Sequence, residues 1–232
     1  MLDHLFNPKI ILATAPVFLF SLSLHEYLHA WTADRLGDPT ARYSGRLTLN
    51  PFAHYDPIGT TLGLVFRVFG WAKPVPVNAA IFKWPKRDMM LTALGGPVSN
   101  FVLAFCFGAL FKVLQLDAFA PGTLGKAGPT VELIEKMVAY GVFLNLALGF
   151  FNLIPLYPLD GHHILRGFLS YHAAIAYDRT KHFGSYILMA LILVSFSGHF
   201  SIISRPIFFV MRLAFTDHEF NQLEIISSSL LR

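Results

Sequence analysis

The chain has 232 residues, of which 14% are charged and 54% hydrophobic, with 23 Phe and a mean hydropathy of +0.53. An ordinary soluble domain carries roughly 25% charged side chains, so this composition excludes a soluble globular surface and a disordered chain; the lone Cys106 excludes a disulfide scaffold. The excess of 18 Lys+Arg over 14 Asp+Glu is mild and contains no run of five basic residues, which argues against a nucleic-acid surface and leaves a polytopic membrane protein.

The first long apolar stretch, residues 10–31, continues to residue 36, where Gly37, Asp38 and Pro39 stop a helix. No basic segment precedes it and no small-residue cleavage site ends it, so a retained span is expected rather than a signal peptide. Ser21, Ser23, His25, Glu26 and His29 all fall inside it. Residues 37–86 change character. Turn formers bracket an alternating run at 46–50 that predicts a strand, and 73–80, with Pro74 and Pro76, predicts an edge strand or hairpin arm. Between them, residues 58–69 are apolar but too few to cross about 30 Å of hydrocarbon, which predicts a re-entrant or interfacial segment.

A second span is predicted at 89–116, where Gly95, Gly96, Pro97 and Asn100 are small or kink-prone residues that let helices approach closely. After a Gly/Pro loop at 117–130, a third span covers 137–154 and is broken by Pro155 and Pro158 ahead of Asp160 and Gly161. Residues 183–200 predict a fourth span. Residues 201–215 predict a fifth span or an interfacial helix, because Arg205, Pro206 and Arg212 interrupt them. From Thr216 the tail reads as polar and solvated. The expected fold is an all-α polytopic membrane protein, a bundle of about five or six transmembrane helices with a small cytoplasmic-side β or re-entrant insertion. Residues 1–232 read as one domain, segmented 10–36, 37–86, 89–116, 137–160 and 183–215.

Orientation follows from Lys and Arg. Eight lie between Arg35 and Arg87, against three between Lys112 and Lys136. The positive-inside rule puts the first block in the cytoplasm and the N-terminus outside. The third span then returns inward and delivers Asp160 to the side where the first helix ends.

The chemistry is carried by His25-Glu26-Tyr27-Leu28-His29, a HExxH pattern on a helix. Residues four apart stand one turn above each other, so both imidazoles can bind one cation. Glu26, offset by about 100°, can serve a metal-activated water without being a ligand. Ionisable groups inside a span are costly unless they have a function, which raises the weight of the pattern. Catalytic zinc needs a third protein ligand. Asp160 leads on sequence grounds, with His162, His163 and His54 as rivals, and the N-cap of a following helix as its structural alternative.

Three motifs, HEYLH in the first span, GGPVSN at 95–100 and NLIPLYPLDG at 152–161, together resemble the site-2 protease family of intramembrane zinc metalloproteases. The resemblance covers roughly residues 18–169. It implies one zinc per chain held by His25, His29 and Asp160, Glu26 as the catalytic acid/base, and Asn152 as a substrate-holding residue; Asn100 and His54 are secondary candidates. The segments LNPFAHYDPIGT at 49–60 and GWAKPVPVN at 70–78 resemble short bacterial and archaeal members that lack PDZ or CBS domains. The expected partners are transmembrane protein or peptide substrates and the lipid bilayer, with no nucleic acid. The expected location is the cell membrane, with the active site towards the cytoplasm. The edge-like segments 46–50 and 75–77 read either as acceptors of an unwound substrate by β-augmentation or as plain cytoplasmic loop. Two competing functions use the same polar cluster: a membrane transporter with an ion relay, and a non-catalytic relative that binds membrane proteins.

Overall fold

The computed structural model describes residues 7–66, 70–115, 128–196 and 201–231. Helix α1 runs Pro8–Arg35. Its start is encoded by Asn7, whose side chain accepts the Lys9 amide at 3.0 Å, and by Pro8 at the first helical position, where a missing N–H costs nothing. It stops at Leu36, followed by Gly37 at φ +105°, a conformation that glycine adopts without strain. At 1.5 Å per residue its 28 residues extend about 42 Å, more than a hydrocarbon core requires. Next come the short helix α2 (Thr40–Tyr43), a 3-10 turn at Pro51–Ala53, and α3 (Gly59–Phe66). Two long helices follow, α4 (Pro85–Gln115) and α5 (Pro129–Asn152). The remainder is α6 (Asp160–Phe168), α7 (Tyr171–Asp178), α8 (Lys181–Phe196), α9 (Ser201–Ala214) and α10 (Asp217–Leu231).

Among the described residues, α1, α4 and α5 are the three helices long and apolar enough to cross a membrane. The described residues are helical with no strand, and three of the expected five or six spans are present among them. Helix α8 has 16 described residues and α9 has 14. Residues 197–200 of the expected fourth span, and most of the expected 117–130 loop, lie outside the described residues.

The insertion differs from its sequence reading. No strand forms at 46–50 or 73–80 among the described residues. The reason is visible in the bonding of 73–78. Pro74 and Pro76 have no amide proton, Lys73 N–H donates to His54 O at 2.9 Å, Val75 N–H goes to the Glu26 carboxylate, and Asn78 N–H goes to Asp38 Oδ2 at 2.6 Å. With its donors committed to three different elements, the segment has no ladder to offer. We call it the strap. Helix α3 has eight described residues, fewer than a span needs, and residues 67–69 of the expected 58–69 segment lie outside the described residues.

The tail is the second correction. Asp217 and His218 are exposed as expected, but residues 217–231 form α10, several of whose apolar side chains are buried. Thr216 and Glu219 make a reciprocal cap, with Thr216 N–H donating to Glu219 Oε2 at 2.8 Å and Glu219 N–H to Thr216 Oγ1 at 3.4 Å. Phe220, Leu223 and Leu230 recur at helical spacing and are buried. Phe220 and Leu223 close an apolar core with Phe111, Val142, Ile207 and Met211, contributed by α4, α5 and α9. A second core joins α1 to α5 through Phe18, Leu22, Tyr140 and Leu144, and Leu230 also packs into it. Helix α4 lies along both α1 and α5, which fixes the frame that carries the polar residues below.

Candidate metal centre

His25 and His29 project from one face of α1, one turn apart, with ring centroids 4.6 Å apart and planes at 86°. Both are buried, and their Nε2 atoms stand 3.0 Å apart. Their Nδ1 atoms face α4: that of His25 meets Asn100 Oδ1 at 2.7 Å, and that of His29 meets the Thr92 carbonyl at 2.8 Å. Carbonyl oxygens only accept, so each Nδ1 carries the proton and each Nε2 presents a lone pair. Gly95 and Gly96 of α4 make this approach possible. A Cβ on Gly95 would lie 2.9 Å from the Leu28 carbonyl oxygen, and one on Gly96 would lie 2.4 Å from His29 Nε2. The close packing expected from GGPVSN is therefore packing against the HExxH turn itself.

Asp160 arrives from the other side. It is the first residue of α6, and the N-cap position belongs to Leu159, so the carboxylate does no capping. Its Oδ2 lies 3.2 Å from His25 Nε2 and its Oδ1 3.2 Å from His29 Nε2. Gly161 is required beside it: a Cβ there would lie 2.3 Å from the Ile154 carbonyl oxygen, because α6 begins against the end of α5. A latch on α7 holds this turn. Tyr177 Oη donates to Pro155 O at 2.6 Å, and the Arg166 Nε of α6 donates to both Asp178 oxygens at 3.0 and 3.1 Å. Lys181 Nζ adds a contact of 3.1 Å to Asp178 Oδ1. Burial would raise the Asp178 carboxyl, but Arg166 and Lys181 hold it below the usual carboxylate range.

The donor set fits a metal cation. Two imidazole lone pairs and a carboxylate converge, their ligand atoms within 4.8 Å of one another, and Asp160 Oδ2 is buried with no hydrogen-bond donor among the described residues. Tetrahedral zinc with bonds of about 2.0–2.1 Å sets its ligand atoms about 3.3 Å apart. The Nε2–Nε2 separation of 3.0 Å is close to that value, and each carboxylate oxygen of Asp160 stands 3.2 Å from one of the two imidazoles. Lone pairs held this close repel unless a positive charge lies among them.

Glu26 follows His25 on α1 and is buried, with Oε2 accepting Val75 N–H at 3.0 Å. The strap that brings this amide is pinned by buried polar side chains. Asp38, fully buried, accepts Asn78 N–H and also the amide and hydroxyl of Thr40; Arg46 donates to the carbonyls of Lys73 and Pro74.

The structure thus brings His25, His29, Asp160 and Glu26 together, with Asn100 beside His25. The rivals lie elsewhere. His54 is buried under the strap and donates from Nε2 to the Thr48 carbonyl at 2.8 Å, a loop-holding role. His162 stacks on Tyr177 at 4.6 Å with its Nε2 3.4 Å from Asp178 Oδ1. His163 packs edge-on against His162; burial, then His162 and Lys181, push its imidazole down to about 4. Asn152 ends α5 with its amide donating back to the Leu148 carbonyl at 3.0 Å. Sequence reasoning missed Asn145, whose one signal is an amide in the middle of an apolar span, and it missed Val75, whose contribution is a backbone amide with no sequence signature.

The family model of peptidase family M50 matches residues 123–195, which include Asp160. The chain is 37% identical over 173 residues to YwhC of Bacillus subtilis, whose name is that of a zinc metalloprotease, and the match covers 75% of this chain and 76% of the relative. The chain belongs to peptidase family M50. Similarity extends to Rip2 of Mycolicibacterium smegmatis, at 29% identity over 180 residues, covering 76% of this chain and 64% of that protein. It also reaches MJ0611 of Methanocaldococcus jannaschii, at 31% over 112 residues, covering 47% of this chain and 51% of the relative. Both carry the same type of name. No solved structure matches the chain. Membership of the M50 family implies zinc, and the His25, His29 and Asp160 cluster is a donor set of the kind zinc takes.

Proposed function

We propose that this M50 protein is an intramembrane zinc metalloendopeptidase that hydrolyses peptide bonds in or near transmembrane segments of membrane-anchored substrates. One observation carries the reading: two histidines and a buried glutamate within a helix of spanning length meet a carboxylate brought from α6. His29 and His25 lie six and ten residues before the end of α1 at Arg35, so at 1.5 Å per residue they are about 9 and 15 Å from that end. A soluble peptide would not need a centre at such depth.

His25, His29 and Asp160 are the residues that hold zinc in this reading. The bound metal supplies Lewis acidity, which polarises a peptide carbonyl and acidifies a water. Glu26 accepts the proton of the attacking water and returns it to the leaving amine, so one carboxylate serves as base and then as acid. Its hydrogen bond from Val75 fixes one carboxylate oxygen and so orients the other. In this reading Asn152, at the end of α5 just before the Asp160 turn, contacts a substrate segment. Lys and Arg asymmetry supports a cell-membrane protein with the N-terminus outside and the centre towards the cytoplasm.

The test is Glu26→Gln in purified protein with a model transmembrane substrate. Retained zinc with lost cleavage is expected; unchanged cleavage would overturn the assignment.

A further inference from the structure

The hydrogen bond from His25 to Asn100 does not end at Asn100. Asn100, fully buried on α4, donates from Nδ2 to Asn145 Oδ1 at 3.0 Å, and Asn145, fully buried on α5, donates from Nδ2 to Ser21 Oγ at 2.9 Å and to the Gly141 carbonyl at 2.9 Å. Ser21 lies one turn before His25 on α1. The bonds therefore form a circuit: out from α1 at His25, across α4 and α5, and back to α1 at Ser21. Three buried polar residues in the middle of spans are costly unless they are satisfied, and here each amide has a partner.

The direction of this circuit is fixed by chemistry. An Asn side chain can flip its oxygen and nitrogen, and an imidazole can move its proton between ring nitrogens. The Gly141 carbonyl can do neither, because it only accepts. It therefore holds Asn145 with the NH2 towards Gly141 and Ser21 and the oxygen towards Asn100. Asn100 must then turn its NH2 to Asn145 and its oxygen to His25. An oxygen facing Nδ1 requires the proton on Nδ1, which leaves the lone pair on Nε2, the atom 3.2 Å from Asp160 Oδ2. His29 is set in the same sense in a single step, from the Thr92 carbonyl.

We propose that Asn145 is a positioning residue of the metal centre: acting through Asn100, it selects the His25 tautomer that presents Nε2 to the cation. The proposal rests on the reading that His25, His29 and Asp160 bind zinc. Partners of a ligating imidazole typically change metal affinity by about 10- to 100-fold, and the same range is expected when Asn145 is lost.

Two measurements test it on the full-length protein in detergent. The first is long-range 15N–1H correlation on metal-free protein labelled at histidine, with His25 assigned from His25→Gln. The proton is expected on Nδ1; a proton on Nε2 overturns the proposal. The second is zinc affinity by chelator competition. Asn145→Leu, which keeps the branching at Cγ but cannot direct Asn100, is expected to weaken zinc binding about 10- to 100-fold. Adding Asn100→Asp, which supplies an oxygen towards His25 whichever way it turns, is expected to recover most of that loss. A general packing defect would not be rescued this way, so a folded double variant without recovery overturns the proposal, as does wild-type affinity in Asn145→Leu. A wild-type protein that takes up no zinc would instead sink the metalloprotease reading, while the tautomer still decides the role of Asn145.

Discussion

The backbone amide of Val75 donates to Glu26 Oε2 at 3.0 Å, joining the strap to the second residue of the HExxH turn. The strap is held at four places, by Asp38, Arg46, the His54 carbonyl and Glu26, so it reaches the centre as a fixed wall. This relationship makes Glu26→Gln a clean substitution. A glutamine oxygen still accepts from Val75, so the strap and the zinc content are expected to stay as in the wild type. General acid–base catalysis is typically worth about 10²- to 10⁴-fold, and cleavage is expected to fall by that order. Metal analysis alongside a cleavage assay reads both.

Removing a ligand has the opposite signature. His25→Ala and Asp160→Ala each leave two of the three donors, and zinc is expected to drop from about one per chain to a small fraction after dialysis against a weak chelator. Full retention in Asp160→Ala would move the third ligand to another residue. The structure leaves His162 and His54 poorly placed for that, since their partners are Asp178 and the Thr48 carbonyl.

The glycines make a finer test. In Gly96→Ala the new methyl meets both imidazoles, with His29 Nε2 at 2.4 Å and His25 Nε2 at 2.6 Å. The rings must move apart, so zinc affinity is expected to fall while the protein still folds. In Gly161→Ala the clash is with backbone, the Ile154 carbonyl oxygen at 2.3 Å, and the start of α6 must shift. Lower thermal stability together with zinc loss is expected there, whereas Gly96→Ala should separate the two readouts.

The latch on α7 predicts a pH dependence. Asp178 titrates below its ordinary value because Arg166 and Lys181 favour the carboxylate in the folded state. A depressed folded value means stabilisation present above about pH 4 and lost as pH falls through the folded value. The groups are partly exposed, so the contribution is about 1 kcal/mol or less. Asp178→Asn is expected to lower the melting temperature by about 2–4 °C at neutral pH and to remove that part of the acid sensitivity. Thermal unfolding at pH 7 and pH 3 checks both.

Leu223, fully buried in the core that α10 closes, tests the C-terminal correction. Leu223→Ala is expected to cost about 2–5 kcal/mol, read as a lower unfolding midpoint. A change within measurement error would return the segment to a solvated tail.

The long spans were legible as apolar runs, the first of them closed by Gly37, Asp38 and Pro39. HExxH was legible because its spacing is a helical repeat. Asp160 was legible as a carboxylate ending a broken span, which put it ahead of His162, His163 and His54; its register against His25 depends on how α6 starts on α5. The strap was misread because alternation and prolines resemble an edge strand, while its real partners, Glu26, Asp38 and His54, come from distant segments that no local pattern announces. Helix α10 was missed although Thr216 and Glu219 form a capping pair, because Asp217, His218 and Glu219 drew attention to charge rather than to the Phe220, Leu223 and Leu230 stripe. Asn145 stood alone in an apolar run, and its meaning needed Asn100 and Ser21 beside it.

The donor set spans two helices separated by most of the chain, His25 and His29 on α1 and Asp160 on α6, with α4 and α5 in between. A cation held there cross-links the chain much as a disulfide would in a protein with no second cysteine to make one. Unfolding must then break the coordination, and stability acquires a dependence on free metal: at a thousand times the dissociation constant, ligand binding adds about 4 kcal/mol. Melting temperatures recorded across a buffered zinc series are expected to rise once free zinc exceeds the dissociation constant and to keep rising with each further tenfold increase. The centre would then act as the clasp that keeps the first and last parts of the bundle together.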